Sequence, residues 1–498
     1  MKRTLSVFLA SLMLVSALAA CSDGGETAAD DTTAAAETTA PADTEPKETG
    51  RADAKDNLPA DLNLNGKTVA FLMRSRKLDF DGGGEETGDV IYDAVYQRTR
   101  AVEERLNYKN ELTEMTGKWQ DFGKAMESGV MAGEDTWQII FSTGNAAIQS
   151  SRDHLFQDLS ENKYIDYDQP WWWTDAMKEL SLDGKKIRYL VGDIHLSNYT
   201  TAGCMYFNAD ILNDNGFKSD ELYKTVIDRK WTYDKLIEMS AALYKDLNGD
   251  GAVNEGDQYG MLIINSEMIR HMEYTGNVRR YTRDANGYPV MDYDQERSVK
   301  MADTLNKLFY NTKGVEYRDE KIAYPPFTTG NCAFFAGRLD YATKAAFREM
   351  ESNYGVIPYP MLDEAQGEYN NLIHNSSNYA TIPITNKNAD EAGAILEALC
   401  SESYRSVIEI FYESALKMKY ARDSYSGLCI DIIRDTSVKN FLYEYSGVVK
   451  GGGLIGDQVK TKTGENNFAS AYAAQKDATN TNIQNLIDKY IKAESAQK

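Results

Sequence analysis

Thr68-Val69-Ala70-Phe71-Leu72-Met73 reads as a buried β-strand, and the pattern it opens decides the fold class. A Gly/Asp/Glu-rich loop, Asp79–Gly88, comes next. A helix is then expected from about Asp89 to Leu106, with Ile91, Val95, Val102 and Leu106 on one face and Thr87 as its N-cap. Tyr108–Thr113 reads as a second strand. After another helical stretch, Trp137-Gln138-Ile139-Ile140-Phe141 reads as a third. Strand–helix–strand–helix–strand implies a parallel sheet with right-handed crossovers, hence an α/β protein. Ligands of such sheets sit off the carboxyl ends of the strands. The Arg74–Asp79 loop and Ser142-Thr143-Gly144-Asn145 both lie at such ends.

A second pattern begins after Ile187–Gly192. Ala202–Asn208 is extended, and Ala209–Asn215 is a short helix stopped by Gly216. Thr232 caps a helix through about Tyr244, with Asp234 in its first turn. Asn331–Ala336 reads as a strand, Tyr341–Met350 as a helix, and Tyr354–Tyr359 and Tyr379–Ile384 as further strands. Ala389–Cys400 and Ser403–Tyr412 read as helices. A last helix near Asn482–Lys492 carries Ile483, Leu486, Ile487, Tyr490 and Ile491 on one stripe.

The chain opens with Lys2 and Arg3, an apolar run Leu5–Ala19, and Leu18-Ala19-Ala20-Cys21. Basic residues, a short apolar stretch and small residues before a cut make a secretory signal, residues 1–20. Cys21 directly after Leu-Ala-Ala resembles a bacterial lipobox, in which the thiol is lipidated and becomes the mature N-terminus. The alternative is an ordinary signal with a chance cysteine. Residues 22–57, rich in Ala, Thr, Asp, Glu and Gly, hold no aromatic residue and no Leu, Ile or Val. They read, with Cys21, as a tether (21–57) spanning about 30–35 Å as a random coil.

Removing Lys2 and Arg3 takes the formal charge from −22 to −24. So acidic a chain is unsuited to nucleic acid or to an anionic membrane surface. Its 32 Tyr against 16 Phe suit wet clefts and polar ligands. Apart from Cys21 there are Cys204, Cys332, Cys400 and Cys429. Four cysteines allow three full pairings, and free buried thiols are expected in a chain of this size.

Asp246-Leu247-Asn248-Gly249-Asp250-Gly251-Ala252-Val253-Asn254-Glu255-Gly256-Asp257 matches the spacing of a calcium loop. Side-chain oxygens of Asp246, Asn248, Asp250 and Asp257, the Ala252 carbonyl and Asn254 are the expected ligands. Gly251 permits the sharp turn. Position 12 is Asp rather than Glu, and the segment after it, Tyr259–Ile264, is extended rather than helical. The reading is a single structural Ca²⁺ site. The bland alternative is a solvated Asp/Gly turn.

Several segments resemble, in order, the extracellular solute-binding proteins of ATP-driven importers, family 1, the carbohydrate-binding group. Met205-Tyr206-Phe207-Asn208-Ala209-Asp210-Ile211-Leu212 before Gly216 resembles the family's Y-N-K-D-L segment. Lys230-Trp231-Thr232-Tyr233-Asp234-Lys235-Leu236 resembles its W-T-W-D-E-L helix start, and the calcium-like loop before Tyr259-Gly260 is common there. Gly330-Asn331-Cys332-Ala333-Phe334-Phe335-Ala336-Gly337 resembles its G-x-A-A-M strand, and Tyr354-Gly355-Val356-Ile357-Pro358-Tyr359-Pro360 its G-V-x-P-x-P strand. The resemblance implies a two-lobed, type II periplasmic-binding-protein-like α/β fold that closes on its ligand by hinge motion. It puts lobe 1 at 66–200 plus 366–400 and lobe 2 at 201–365 plus 401–498. It also implies a lipid-anchored monomer on the outer face of the bacterial cell membrane, capturing a carbohydrate for an ABC permease.

Sugars offer apolar C–H faces and rings of hydroxyls, which suit aromatic rings and polar side chains respectively. Candidate contacts at the cleft edge are Arg74, Glu86, Ser142, Asn145, Tyr199, Arg338, Asp340 and Tyr341. Relatives often present a stacking aromatic after the G-x-A-A-M strand, whereas this chain has Arg338-Leu339-Asp340-Tyr341 and no Trp. Trp171-Trp172-Trp173 cannot all face one way, so at least one packs inward, with Trp173 the candidate sugar platform. Trp231 reads as a core plug.

Two other functions stay open. One keeps the architecture and takes a peptide or another polar solute. The other is a secreted glycoside hydrolase, which needs paired carboxylates. No G-x-S-x-G or H-E-x-x-H motif is present, and His195 and His374 stand without a recognisable partner in the sequence. The expectation is a binder, not an enzyme.

Overall fold

A computed structural model describes residues 51–498, apart from 75–77, 82–83, 265, 319–324, 413–424, 461–463 and 498. The signal, Cys21 and most of the tether lie outside the described residues.

The first half builds β1 (Lys67–Arg74), α1 (Val90–Leu106), β2 (Tyr108–Met115), α2 (Trp119–Met131) and β3 (Ile139–Thr143). β1 pairs in parallel with β2 from Lys67↔Tyr108 and with β3 from Phe71↔Ile139. A late strand, β12 (Asn378–Thr381), joins antiparallel with Tyr379 opposite Ser142, giving the order β12-β3-β1-β2. β3 is buried along its whole length, as a strand covered on both faces must be. The edge strand β2 alternates more exposed and less exposed positions. Phe71, Phe80 and Phe141 form the centre of the core, with ring centroids 4.6 to 5.6 Å apart.

Asp89, not Thr87, caps α1: its carboxylate accepts the Ile91 and Tyr92 N–H groups. Thr87 stands outside, and its own N–H and hydroxyl donate to Asp93. The third strand is shifted two residues from its expected place because Gln138 turns its side-chain amide oxygen onto the Ala70 N–H.

The second sheet has the order β10-β4-β9-β5-β8. Its strands are β4 (Gly203–Asn208), β5 (Tyr259–Ile263), β8 (Val315–Tyr317), β9 (Cys332–Arg338) and β10 (Tyr354–Ile357). β5 runs parallel to β8 and β9, while β4 is antiparallel to β9 and β10. Thr232 caps the helix Tyr233–Leu243 as its sequence requires. Trp231 is fully buried, stacks obliquely near Phe334 and donates its indole N–H to the Pro358 carbonyl (3.1 Å). The expected helix after β9 is instead two short turns, Leu339–Thr343 and Ala345–Arg348, separated by the extended Lys344.

Three segments run side by side between the sheets. Ala202 pairs with Ile373, whose N–H donates to the Val438 carbonyl, and β11 (Asn371–Leu372) pairs with β13 (Ser437–Val438). On the first-sheet side, Leu190 bridges to Ala380. A hairpin of β6 (Tyr281–Arg283) and β7 (Pro289–Met291) reaches from the second-sheet side to α4 (Thr174–Leu180). There Arg283 donates to the Lys178, Ser181 and Leu182 carbonyls.

The last helix is longer than expected, Phe468–Gln497, 30 residues or about 45 Å. Its first half is rich in Ala, Thr and Asn, so no apolar stripe announces it. Phe468 and Tyr472 nevertheless pack on Tyr293, and Lys489 donates to the Ser151 carbonyl at the other end. Residues 51–57, assigned to the tether by composition, lie against the body. Asp56 is held by Arg105 in a two-pronged contact (2.6 and 2.7 Å) and by the Ser401 hydroxyl. Cys204, Cys332, Cys400 and Cys429 are buried free thiols. Among the described residues no helix is long and apolar enough to cross a membrane.

Candidate functional site

β9 is buried from Cys332 to Gly337 and ends on Arg338, half-buried at the sheet's carboxyl edge. The guanidinium grips Asp340 with two bonds (3.1 and 2.9 Å) and lies 5.4 Å over the Tyr341 ring. Its remaining arm reaches Ser376 at 3.5 Å, on the segment entering β12. One residue cluster thus joins the edge of the second sheet to the crossing that feeds the first.

His374 forms the next part of the wall. Its ring stacks on His271 at 5.8 Å and 12°, with Tyr443 edge-on at 6.4 Å. The Ser376 N–H donates to His374 Nδ1 (3.0 Å), so Nδ1 is the acceptor and Nε2 carries the proton in the neutral ring. Nε2 stands 3.9 Å from Glu267, at the start of the helix Ser266–Thr275 that follows β5. His271 is fully buried, and burial together with the Arg338 charge pulls its pKa down to about 3, so it stays neutral.

The first sheet contributes the turn after β3. The Asn145 N–H donates to the Asn375 carbonyl (3.0 Å), and the Thr143 hydroxyl donates to the Asn145 side chain. Glycine is required at 144, because a Cβ there would stand 2.3 Å from the Glu444 carboxylate and 3.0 Å from the Asn375 carbonyl. Beneath lies a fully buried pair, Lys439 and Glu444, 3.5 Å apart. The Tyr379 hydroxyl donates to Glu444 (2.8 Å), and Lys439 donates to Ser377. Burial raises the Glu444 pKa against the opposing pull of Lys439.

Asn145, Arg338, Asp340 and Tyr341 are therefore brought together, with Ser142 buried below them in β3. The other candidates lie elsewhere. Arg74 is tied to the Gly117 carbonyl (3.1 and 2.8 Å). Glu86 accepts from Gln97. Trp173 and Tyr199 face each other edge-to-face at 5.0 Å and both donate to Asp193, whose burial pushes its pKa up to about 6. Trp171 and Trp172 point their indole N–H groups at Glu397 (3.1 and 2.6 Å), which burial pushes up to about 7.

Sequence reasoning missed His374, Ser376, His271, Glu267 and Tyr443. The available signal was His374-Asn375-Ser376-Ser377-Asn378, a polar run between two apolar segments. Its partners come from three distant parts of the chain, so no local spacing announces them.

The calcium-like loop is closed by hydrogen bonds of its own. Asp246 accepts the Gly249 and Gly251 N–H groups, and Asp250 accepts that of Ala252 (2.6 to 2.8 Å). Asn248 donates to Asn254, which donates to Asp250. Tyr244 donates to the Ala252 carbonyl (3.1 Å) and to Asp257 (3.0 Å). The donor set is all oxygen, as a hard cation needs. Among the described residues, however, no three His, Cys, Asp or Glu side chains stand together as a metal cluster.

The family of bacterial extracellular solute-binding proteins matches residues 106–405 of this chain. No curated protein matches. A sugar transporter from Rhizobium etli in an open conformation aligns with a TM-score of 0.55 at 12% identity, covering 83% of this chain and 98% of that one. The galacto-N-biose-/lacto-N-biose I-binding protein of an ABC transporter from Bifidobacterium longum, in complex with lacto-N-biose, aligns at 0.54 and 12% identity, covering 85% and 98%. An ABC substrate-binding protein from Listeria monocytogenes in complex with cycloalternan aligns at 0.52 and 10%, covering 85% and 99%. At these identities the likeness shows the fold, two α/β lobes joined by crossing segments.

Proposed function

The chain belongs to the bacterial extracellular solute-binding proteins, and on that premise we propose that it captures a carbohydrate between its two sheets and delivers it to the permease of an ATP-driven importer. One observation carries the reading. Arg338, Asp340 and Tyr341 from the edge of the second sheet meet Ser376, His374 and Asn145 from the crossing and the first sheet. Tyr341 and His374 supply ring faces for sugar C–H groups. Arg338, Asp340, Asn145 and Glu267 supply the donors and acceptors that hydroxyls need. The ligands named for the Listeria and Bifidobacterium neighbours are carbohydrates, which favours that class.

The mechanism is capture without chemistry. A solute that bridges Arg338–Asp340 and Asn145 has contacts with both lobes only when they are close, and that differential affinity shifts the population to the closed form. The closed form docks on the permease. Cys21 carries the lipid, and residues 22–50 are the leash. Asp246, Asn248, Asp250, Ala252, Asn254 and Asp257 hold a structural Ca²⁺, which replaces the amide-to-oxygen bonds now linking Asn248, Asn254 and Asp250.

Thermal unfolding of the full chain in mild detergent, against mono- and oligosaccharides and short peptides, tests the reading. A ligand of the folded state raises the midpoint. A shift with one glycan, and no turnover of it by chromatography, supports carbohydrate capture. A shift with peptides alone, or turnover of any glycan, contradicts it.

A further inference from the structure

A chain of formal charge −22 lines one cavity of about 510 Å³ with four cations, Arg279, Arg280, Arg283 and Lys439, and a single carboxylate, Glu179. The cavity is apart from the sugar cleft. Tyr274 on its wall is seven residues beyond Glu267, about 10 Å along the same helix. Its size falls in the range of small-molecule pockets.

Two of the cations have neutral partners. Arg280 donates to the Val278 and Glu273 carbonyls (2.8 and 2.6 Å), and Arg283 to the Gly287 and Ser181 carbonyls among others (2.7 and 2.8 Å). A carbonyl orients a guanidinium but does not cancel its charge. Arg280 is 2% exposed, lies 3.7 Å over Tyr274, and its buried Nε–H meets no acceptor at normal geometry. Lys439 is balanced by Glu444, and the nearby Glu273 carboxylate has Arg270 at 3.7 Å. Arg279 pairs with Asp292 (3.1 Å) at the exposed rim, a contact worth little in water and easily exchanged. The wall therefore keeps the positive field of Arg280 and Arg283, with Arg279 at the mouth.

We propose that this cavity is a second binding site, for a small polyanion carrying carboxylate or phosphate groups. Its wall comes from α4 (Glu179), from the Asn277–Arg283 stretch beside the second sheet, and from the crossings at Asn370 and Val438–Asn440. Glu179 also accepts the Phe441 N–H (3.0 Å), so first-sheet side and crossing are tied at the cavity's edge. A bound anion thus touches every part that moves when the lobes close, and it couples to the cleft by differential affinity for the two arrangements.

The test is calorimetric titration of the full chain in mild detergent with citrate and, separately, with inorganic phosphate, in sodium chloride of matched ionic strength. Citrate or phosphate is expected to bind one to one. Arg279→Gln, an exposed change, is expected to weaken binding at least tenfold, and Thr282→Trp, which fills the cavity from an exposed strand position, to abolish it. Arg348→Gln, on an exposed helix elsewhere, is the control and leaves it unchanged. Heat with citrate alone assigns a carboxylate ligand, and with phosphate alone a phosphate ester. Absence of both, or unchanged affinity in Arg279→Gln, overturns the proposal.

Discussion

Replacing Lys439 with Met tests how the floor of the cleft is held. Lys439 and Glu444 are fully buried and 3.5 Å apart. At an effective dielectric of about 20 their attraction is ~5 kcal/mol, set against the desolvation of both charges. Glu444 accepts from Tyr379 on one oxygen, and its Oε2 has no hydrogen-bond partner among the described residues. Lys439→Met leaves that carboxylate uncompensated, for which the expected loss is about 3–5 kcal/mol. Lys439→Met with Glu444→Gln removes both charges and keeps an acceptor for Tyr379, so most of the loss is regained. Burial already raises the Glu444 pKa. The protonated form is thus the better tolerated one, and the penalty in Lys439→Met shrinks as pH falls. Urea unfolding followed by tryptophan fluorescence reads all three effects. A single variant within about 1 kcal/mol of the parent, on the scale of an ordinary exposed pair, or a double variant no better than the single, refutes the reasoning.

Glu397 and Asp193 are pushed up to about 7 and about 6 by burial. Both shifts are upward, so their contribution is fully present below the unfolded-state pKa values near 4 and is lost as pH rises toward 7; melting temperature between pH 5 and 8 should fall, and Glu397→Gln should flatten that slope. Asp56 is shifted the other way: burial alone would raise it, but Arg105 and Ser401 hold it down. Its stabilisation is lost as pH falls, and Asp56→Asn should cost about 1–3 kcal/mol and speed tryptic cleavage at Arg51 and Lys55. Calcium should raise the melting temperature of the parent and not of Asp246→Asn, measured against magnesium and chelator.

Apolar runs gave away β1, β4 and β9, because buried strands read as continuous apolar stretches, and the Thr232 cap is a local signal that the structure keeps. The start of α1 was misplaced because Thr87 and Asp89 are both capping residues two positions apart, and only the three-dimensional course of the loop decides between them. The first half of the last helix, Phe468–Thr481, carries its contacts on two rings, too sparse for a periodic signal. The site was half legible. Arg338, Asp340 and Tyr341 follow a recognisable strand, whereas His374 and Ser376 gain meaning only from Glu267, His271 and Tyr443, which the chain brings from more than 60 residues away. The three adjacent tryptophans attract attention as a ligand surface, yet their indole N–H groups are satisfied by the buried acids Glu397 and Asp193.

The most direct measurement is a calorimetric titration of the glycan that raises the melting temperature, into the parent and into Arg338→Ala. The account predicts one site per chain and at least a tenfold loss in the variant, since a charge-assisted bond is worth about 1.5–3 kcal/mol. Unchanged affinity in Arg338→Ala would place the sugar elsewhere and contradict a cleft built on Arg338 and Asp340.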